Sequence, residues 1–371
     1  NGSGSDVAAA LTAIDTNTGN ATANVTGTDY TVAQLKTIND ATTGAIVLAD
    51  ASAALSGNST DLAAALAGTV TTHTGTVGIT NNDYTLAELV AINNASSGTI
   101  TLTTTDKDLS GSGADLAAAL AGTINYAGNV TVSDSSYTVA QLKTINNGTS
   151  GTITLTNDDV NLSGEAADIV AAFAGTVTTH TGDVTISDAN TTDVNATDIT
   201  TINTASTGNI TVSHNIDING SGSQVATAVG QIDTISGSPT ANITGSDYTV
   251  THLVTINGAI SGNIVLANPG AALSGTVSQF KSAFAGTVTT HTGTVEITDA
   301  GTTNITATDI TDINGTNTGT ITVKNAIDIN GSGSDVAAAF TAIDTNTGNA
   351  TANVTGTDYT VAQLKTINDK G

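Results

Sequence analysis

The chain has 371 residues, with 7 Lys+Arg against 32 Asp+Glu, a formal charge of −25, no Cys, Met or Trp, and only 3% aromatic residues. Such a balance repels phosphate backbones and anionic lipid, which argues against a nucleic-acid partner, and the missing cysteine removes disulfide and thiol chemistry. The small apolar residues cannot build one thick globular core, but they suffice for a thin core drawn out along an axis.

The first 40 residues set the pattern, because residues 1–40 return as 330–369 with one change, Leu11 to Phe340, an offset of 329. A shorter offset of 111 relates 180–250 to 291–361, and one of 218 relates 30–73 to 248–291. Fixed-period self-similarity is the mark of a repeat architecture. Recurrent glycines, among them Gly19, Gly44, Gly68, Gly98 and Gly122, divide the period into twelve units of 24 to 33 residues, and no change of composition splits the chain. The whole of 1–371 therefore reads as a single continuous tandem-repeat solenoid.

Each unit reads strand, turn, helix, glycine. Helix starts are written clearly: Thr31, Thr85, Thr138 and Thr360 precede Gln34, Glu88, Gln141 and Gln363 by three residues, the spacing of a capping box. Tyr30, Tyr84, Tyr137 and Tyr359 fall at N′, placed to staple onto Leu35, Leu89, Leu142 and Leu364; Tyr248 follows the same pattern, but His252 replaces the Gln/Glu. Other starts use a carboxylate: Asn58 with Asp61, Ser112 with Asp115, Asn195 with Asp198, Thr306 with Asp309, and Ser332 with Asp335. Helices are expected to stop where Ile-Asn leads into small residues and glycine, through a left-handed backbone. Strands are expected where apolar residues alternate, with Ile100 and Leu102 inward and Thr99, Thr101 and Thr103 outward, and likewise over 152–156 and 176–180.

These elements predict an α/β solenoid, a right-handed parallel β-solenoid with a short helix in most coils. The alternative is a curved solenoid like the leucine-rich repeats, which residues 89–102 (LVAINNASSGTITL) loosely resemble, although their Asn ends the helix and does not follow the strand.

Candidate chemistry is sparse. His73, His180 and His291 share the phrase TVTTHTG and are expected as outward strand positions copied with the repeat; His214 and His252 occur once each. No G-x-S-x-G elbow accompanies the many hydroxyls. The reading is therefore no enzyme, with no catalytic, cofactor-binding or metal-binding residue assigned. GSGSD at 2–6 and 331–335, and GSGAD at 111–115, look like half of a calcium nonapeptide but stand alone before helices, so capping explains them; calcium, if bound, belongs at Asp106–Asp108 or at Asp158 and Asp159. Sequons such as those at Asn24 and Asn304 are what an Asn/Thr-rich chain produces by chance.

The phrases YTVAQLKTINDATTG, DLAAALAG and TVTTHTGTV resemble the very large repetitive surface proteins of cyanobacteria and other aquatic bacteria, some partly RTX-like. That resemblance implies export and an extracellular or cell-surface location. The function expected is a structural repeat that forms or decorates a fibre or layer. The alternative is an adhesin spacer or ice- or surface-binding solenoid using Thr-rich faces. Expected partners are further copies end to end or a continuation in a longer chain, with divalent cations or surface polysaccharide as candidates and no transmembrane segment.

Overall fold

The computed structural model describes every residue except Thr18. Short helices alternate with very short parallel strands throughout. The chain divides into two compact units, one of residues 1–184 and 205–208, the other of 185–204 and 209–371, each an α/β repeat of stacked coils.

The helices fall into two alternating classes, and the alternation redefines the repeat. In the first class are Gly4–Thr12, Ser59–Ala65, Gly113–Leu120, Ala166–Ala172, Gly222–Val229, Val277–Ala283 and Gly333–Ala342. The second class comprises Val32–Ala41, Leu86–Ala95, Val139–Gly148, Ala196–Ala205, Val250–Ala259, Ala307–Thr316 and Val361–Lys370, each ten residues long and each containing Ile-Asn. The module is therefore a pair of coils, one of each class, and six such modules carry the chain from Gly4 to its repeat at Gly333. Helices of two or three turns are marginal alone. Their apolar stripes, such as Val32, Leu35 and Ile38 or Leu116, Ala119 and Leu120, are buried.

The strands are shorter and more numerous than the alternation suggested. Most span three residues, and one glycine-to-glycine segment, 98–121, holds both Ile100–Leu102 and Leu109–Gly111 ahead of its helix. In the first unit Leu55 pairs with Val77 and Val77 with Ile100, and separately Leu109 with Val130 and Val130 with Ile153. In the second, Leu273 pairs with Val295 and Val295 with Ile321. Same-type apolar residues thus stack in register, all in parallel, and Val, Ile and Leu form the inner face. Partners in these pairs come from successive coils, so it is stacking of one coil on the next that completes each sheet. The expected strand at 176–180 is not one: only isolated bridges at Val177 and His180 mark it.

Candidate functional site

The recurring arrangement of polar side chains is the joint between one coil and the next. Its local part follows the sequence. Thr31, Thr85, Thr138 and Thr360 make complete capping boxes with Gln34, Glu88, Gln141 and Gln363. His252 takes the same part, its Nδ1 accepting from the Thr249 N–H at 3.3 Å. Ser3, Asn58, Ser112 and Ser332 accept from the backbone of Asp6, Asp61, Asp115 and Asp335, which accounts for the isolated GSGSD and GSGAD phrases. Thr306 departs from expectation, for its side chain makes no cap bond where strand Asn304–Thr306 runs straight into the helix. Asn195 instead donates to the Asp198 carboxylate at 3.0 Å.

The rest of the joint works across coils. Ile-Asn does not stop its helix: Asn39, Asn93 and Asn146 lie inside helices whose C-caps are extended, not left-handed. Each Asn instead reaches the following first-class helix and donates to its terminal carbonyls. Asn93 Nδ2 meets Ala118 O at 2.7 Å, Ala119 O at 3.3 Å and Ala121 O at 2.9 Å. Asn39 and Asn146 repeat the contact on Ala64, Ala65 and Ala67 and on Ala171, Ala172 and Ala174, while Asn257 reaches Ser282 O. At the other end of these helices, the first amide is held from the coil after: Ser59 by Asn81, Gly113 by Asp134 and Val277 by Asp299. A helix end leaves orphan donors and acceptors, and here neighbours supply the partners at both ends.

The tyrosines behave likewise. Tyr30, Tyr84, Tyr137 and Tyr248 are buried, and each hydroxyl donates to a carbonyl twenty residues ahead, on Asp50, Thr104, Asn157 and Asn268. Burial, then nearby Asp charge, pushes the phenols of Tyr84 and Tyr137 up to about 12, so they stay donors. Room for the rings is left by the preceding coil: a Cβ at Gly4 or Gly113 would sit 2.7 Å from the Cβ of Tyr30 or Tyr137. Where the next coil carries no tyrosine, the position is Ala166 or Val277.

The glycine marks serve two different ends. Gly122 lies at φ +72° just past a first-class helix, in the left-handed region that glycine tolerates. Gly98 has no such φ; a Cβ there would overlap the Gly75 carbonyl oxygen of the preceding coil, so the requirement is close backbone approach.

The three shared histidines correct the expectation of outward positions. His73, His180 and His291 are fully buried. Their Nε2 atoms lie 2.8, 2.8 and 2.7 Å from the carbonyls of Ala53, Val160 and Ala271, twenty residues upstream, in donor geometry. Around Nδ1 they differ: His291 meets Asn317 Oδ1 at 2.9 Å, His180 meets Ser206 Oγ at 3.3 Å, and His73 Nδ1 is unpartnered. The alternation fails because the chain turns a corner there, and the ring swings inward to satisfy the upstream carbonyl. Tyr126 takes the same place in another coil, its hydroxyl donating to Lys107 O. Burial lowers the His180 pKa, opposed by its bond to Val160 and by Asp158. His214 is exposed beside Ser213.

Acidic turns are tied into the same seams. Asp108 accepts from the Asn129 N–H and Asp158 from the Thr181 hydroxyl. Among the described residues no three His, Asp or Glu side chains converge as a metal site would require, and no helix is long and apolar enough to cross a membrane. Thr99, Thr101 and Thr103 are exposed, as are Thr152, Thr154 and Thr156, but the two rows belong to different sheets. Thr71, Thr178 and Thr289 accept instead from the N–H groups of Leu48, Leu155 and Leu266, continuing strand pairing with a hydroxyl. Neither a protein-family model nor a curated protein sequence matches the chain.

Proposed function

We propose that this chain is a structural element of an extracellular or cell-surface fibre or layer, acting through the strength of its coil joints and a uniformly acidic exterior. The observation that carries this reading is reciprocal capping: the ends of helix Gly113–Leu120 are held by Asn93 of the coil before and Asp134 of the coil after. Stability in such an array is shared between neighbours, so length adds order. The charge of −25 keeps a repetitive surface soluble and open to cations. Electron microscopy of the native material tests the reading. Fibres or ordered layers are expected, and isolated short particles at high concentration would overturn it.

A second reading, an adhesin spacer or a surface-binding face, draws on the parallel sheet of residues 109–111, 130–132 and 153–155, where Ser110, Thr131 and Thr154 stand side by side between inward apolar residues. Replacing Thr131 and Thr154 with Tyr should abolish thermal hysteresis or polysaccharide retention if that face makes the contact, and unchanged binding sinks it.

A further inference from the structure

Not every joint between coils is closed in the same way. Where Asn39, Asn93, Asn146 or Asn257 clamps the following first-class helix, that helix has seven or eight residues and leads to a left-handed glycine, Gly68, Gly122, Gly175 or Gly286. Helix Gly333–Ala342 runs to ten residues and leads instead through Ile343, in extended conformation, to Asp344. Its clamp position in the preceding coil is Asn314, which is exposed, and among the described residues no carbonyl receives the Asn314 amide. The clamp gives way to a cavity of about 630 Å³ between the two coils, lined by Thr311, Asn314 and Thr318 on one side and Thr341, Ala342 and Asp344 on the other.

The lining is rich in acceptors. Thr311 and Thr341 donate their hydroxyl protons to Thr308 O and Ala337 O, each at 2.8 Å, and Thr318 donates to His291 O at 3.4 Å. All three oxygens therefore keep lone pairs for an incoming donor. Asp344 spends one carboxylate oxygen on the Ile321 N–H at 2.8 Å and keeps the other. Asn314 adds an amide that both donates and accepts. A ligand that satisfies this set brings several O–H groups close together, each able to accept in turn. One carboxylate and no histidine is too few for a metal ion, and no aromatic or long aliphatic side chain offers lipid a platform. The volume lies within the roughly 300–1,000 Å³ range of small-molecule sites.

The geometry points to a saccharide site: this groove holds a unit of a neutral polysaccharide by its hydroxyls. Asp344 and the net charge of −25 turn away uronates and sulfated sugars. The site requires neither fibre formation nor the face that carries Thr131 and Thr154. Its polar set recurs 111 residues earlier as Thr200, Asn203, Thr207 and Asp233, and Asp233 likewise takes the Ile210 N–H at 2.8 Å. There Gln231 stands where the later copy has Ala342. A side chain of that length is thus accepted at this helix end, which supplies a blocking substitution that the fold already tolerates.

Titration of the 371-residue chain, followed by nuclear magnetic resonance, tests the site. Maltohexaose, cellohexaose, mannohexaose and a galactan oligomer serve as neutral probes, and polygalacturonate as the acidic one. Shifts are expected at the Asn314 side-chain amide and along the backbone from Thr341 to Asp344 with at least one neutral probe, and none with polygalacturonate. Asn314→Ala removes the amide's hydrogen bonds and should weaken binding by about tenfold or more. Ala342→Gln fills the groove and should abolish the shifts with circular dichroism unchanged. No shift with any neutral probe overturns the inference, as does binding that survives both substitutions or that extends equally to polygalacturonate. None of these results bears on whether the native material is fibrous.

Discussion

Removing the Asn93 amide is the sharpest test of capping across coils. Its Nδ2 carries contacts to three carbonyls, two of them at 2.7 and 2.9 Å and one, at 3.3 Å, at the edge of hydrogen-bond range. A neutral hydrogen bond contributes about 1 kcal/mol net, so Asn93→Ala should destabilise by about 2 kcal/mol. The location of the loss matters more than its size. Asn93 belongs to helix Leu86–Ala95, yet its partners end helix Gly113–Leu120. Native-state hydrogen exchange should therefore show protection falling first around residues 113–121, by roughly thirtyfold for about 2 kcal/mol, with a smaller change in the mutated helix itself. Asn93→Asp, which turns an oxygen towards the same carbonyls, should cost at least as much. Loss confined to residues 86–95, or a change below about 0.5 kcal/mol, would refute the assignment.

Three further outcomes follow from the joints. Gly98→Ala drives a methyl into the Gly75 carbonyl and should cost roughly 3 kcal/mol or more, whereas Gly122→Ala should cost only about 1–2 kcal/mol, that of a left-handed non-glycine residue; equal urea midpoints would contradict the two roles. For His180, whose pKa is lowered by burial, the unfolded state binds the proton more readily, so its contribution is full above about pH 6.5 and is lost as pH falls through the folded value. The urea midpoint should drop between pH 7 and 5, and His180→Gln should flatten that drop; an unchanged pH slope counts against the buried strut. Raised phenol pKa values near 12 mean that Tyr84 and Tyr137 support stability fully below about pH 10 and lose it as pH climbs through 12. Ultraviolet titration should show phenolate from these two only as the coils unfold, and early reversible ionisation would refute their burial.

What could be read from the sequence was local. Thr31 and Gln34 are three residues apart and make their bonds within one turn, so the pattern and the structure agree. Asn39 could not be read the same way, because its carbonyls lie 25 to 28 residues on, in a helix that shows no sign of needing a cap. His291 was misplaced for a related reason: alternation describes a strand, and the TVTTH stretch is a corner. A signal was nonetheless present. Tyr126, another ring with a polar tip, stands in for the histidine, and Phe173 and Phe284 accompany His180 and His291, with ring centroids 5.3 and 5.7 Å apart. The glycines were correctly seen as punctuation, but a sequence cannot separate a left-handed turn at Gly122 from a carbonyl contact at Gly98. The period of twelve units was legible, whereas its pairing into six modules needed the helix classes.

Pairing of coils into modules limits how such a gene can change. Gaining or losing one coil would set two helices of the same class against each other, leaving an Asn amide without its carbonyls and a tyrosine against a position with no room for it. Exchange of whole modules keeps every class in phase. The related stretches that begin at His180 and His291 and at Tyr30 and Tyr248, and the near-identical ones at Asn1 and Asn330, lie two, four and six modules apart. Recombination between copies of this repeat is thus filtered by folding, and the array lengthens or shortens in steps its own joints permit.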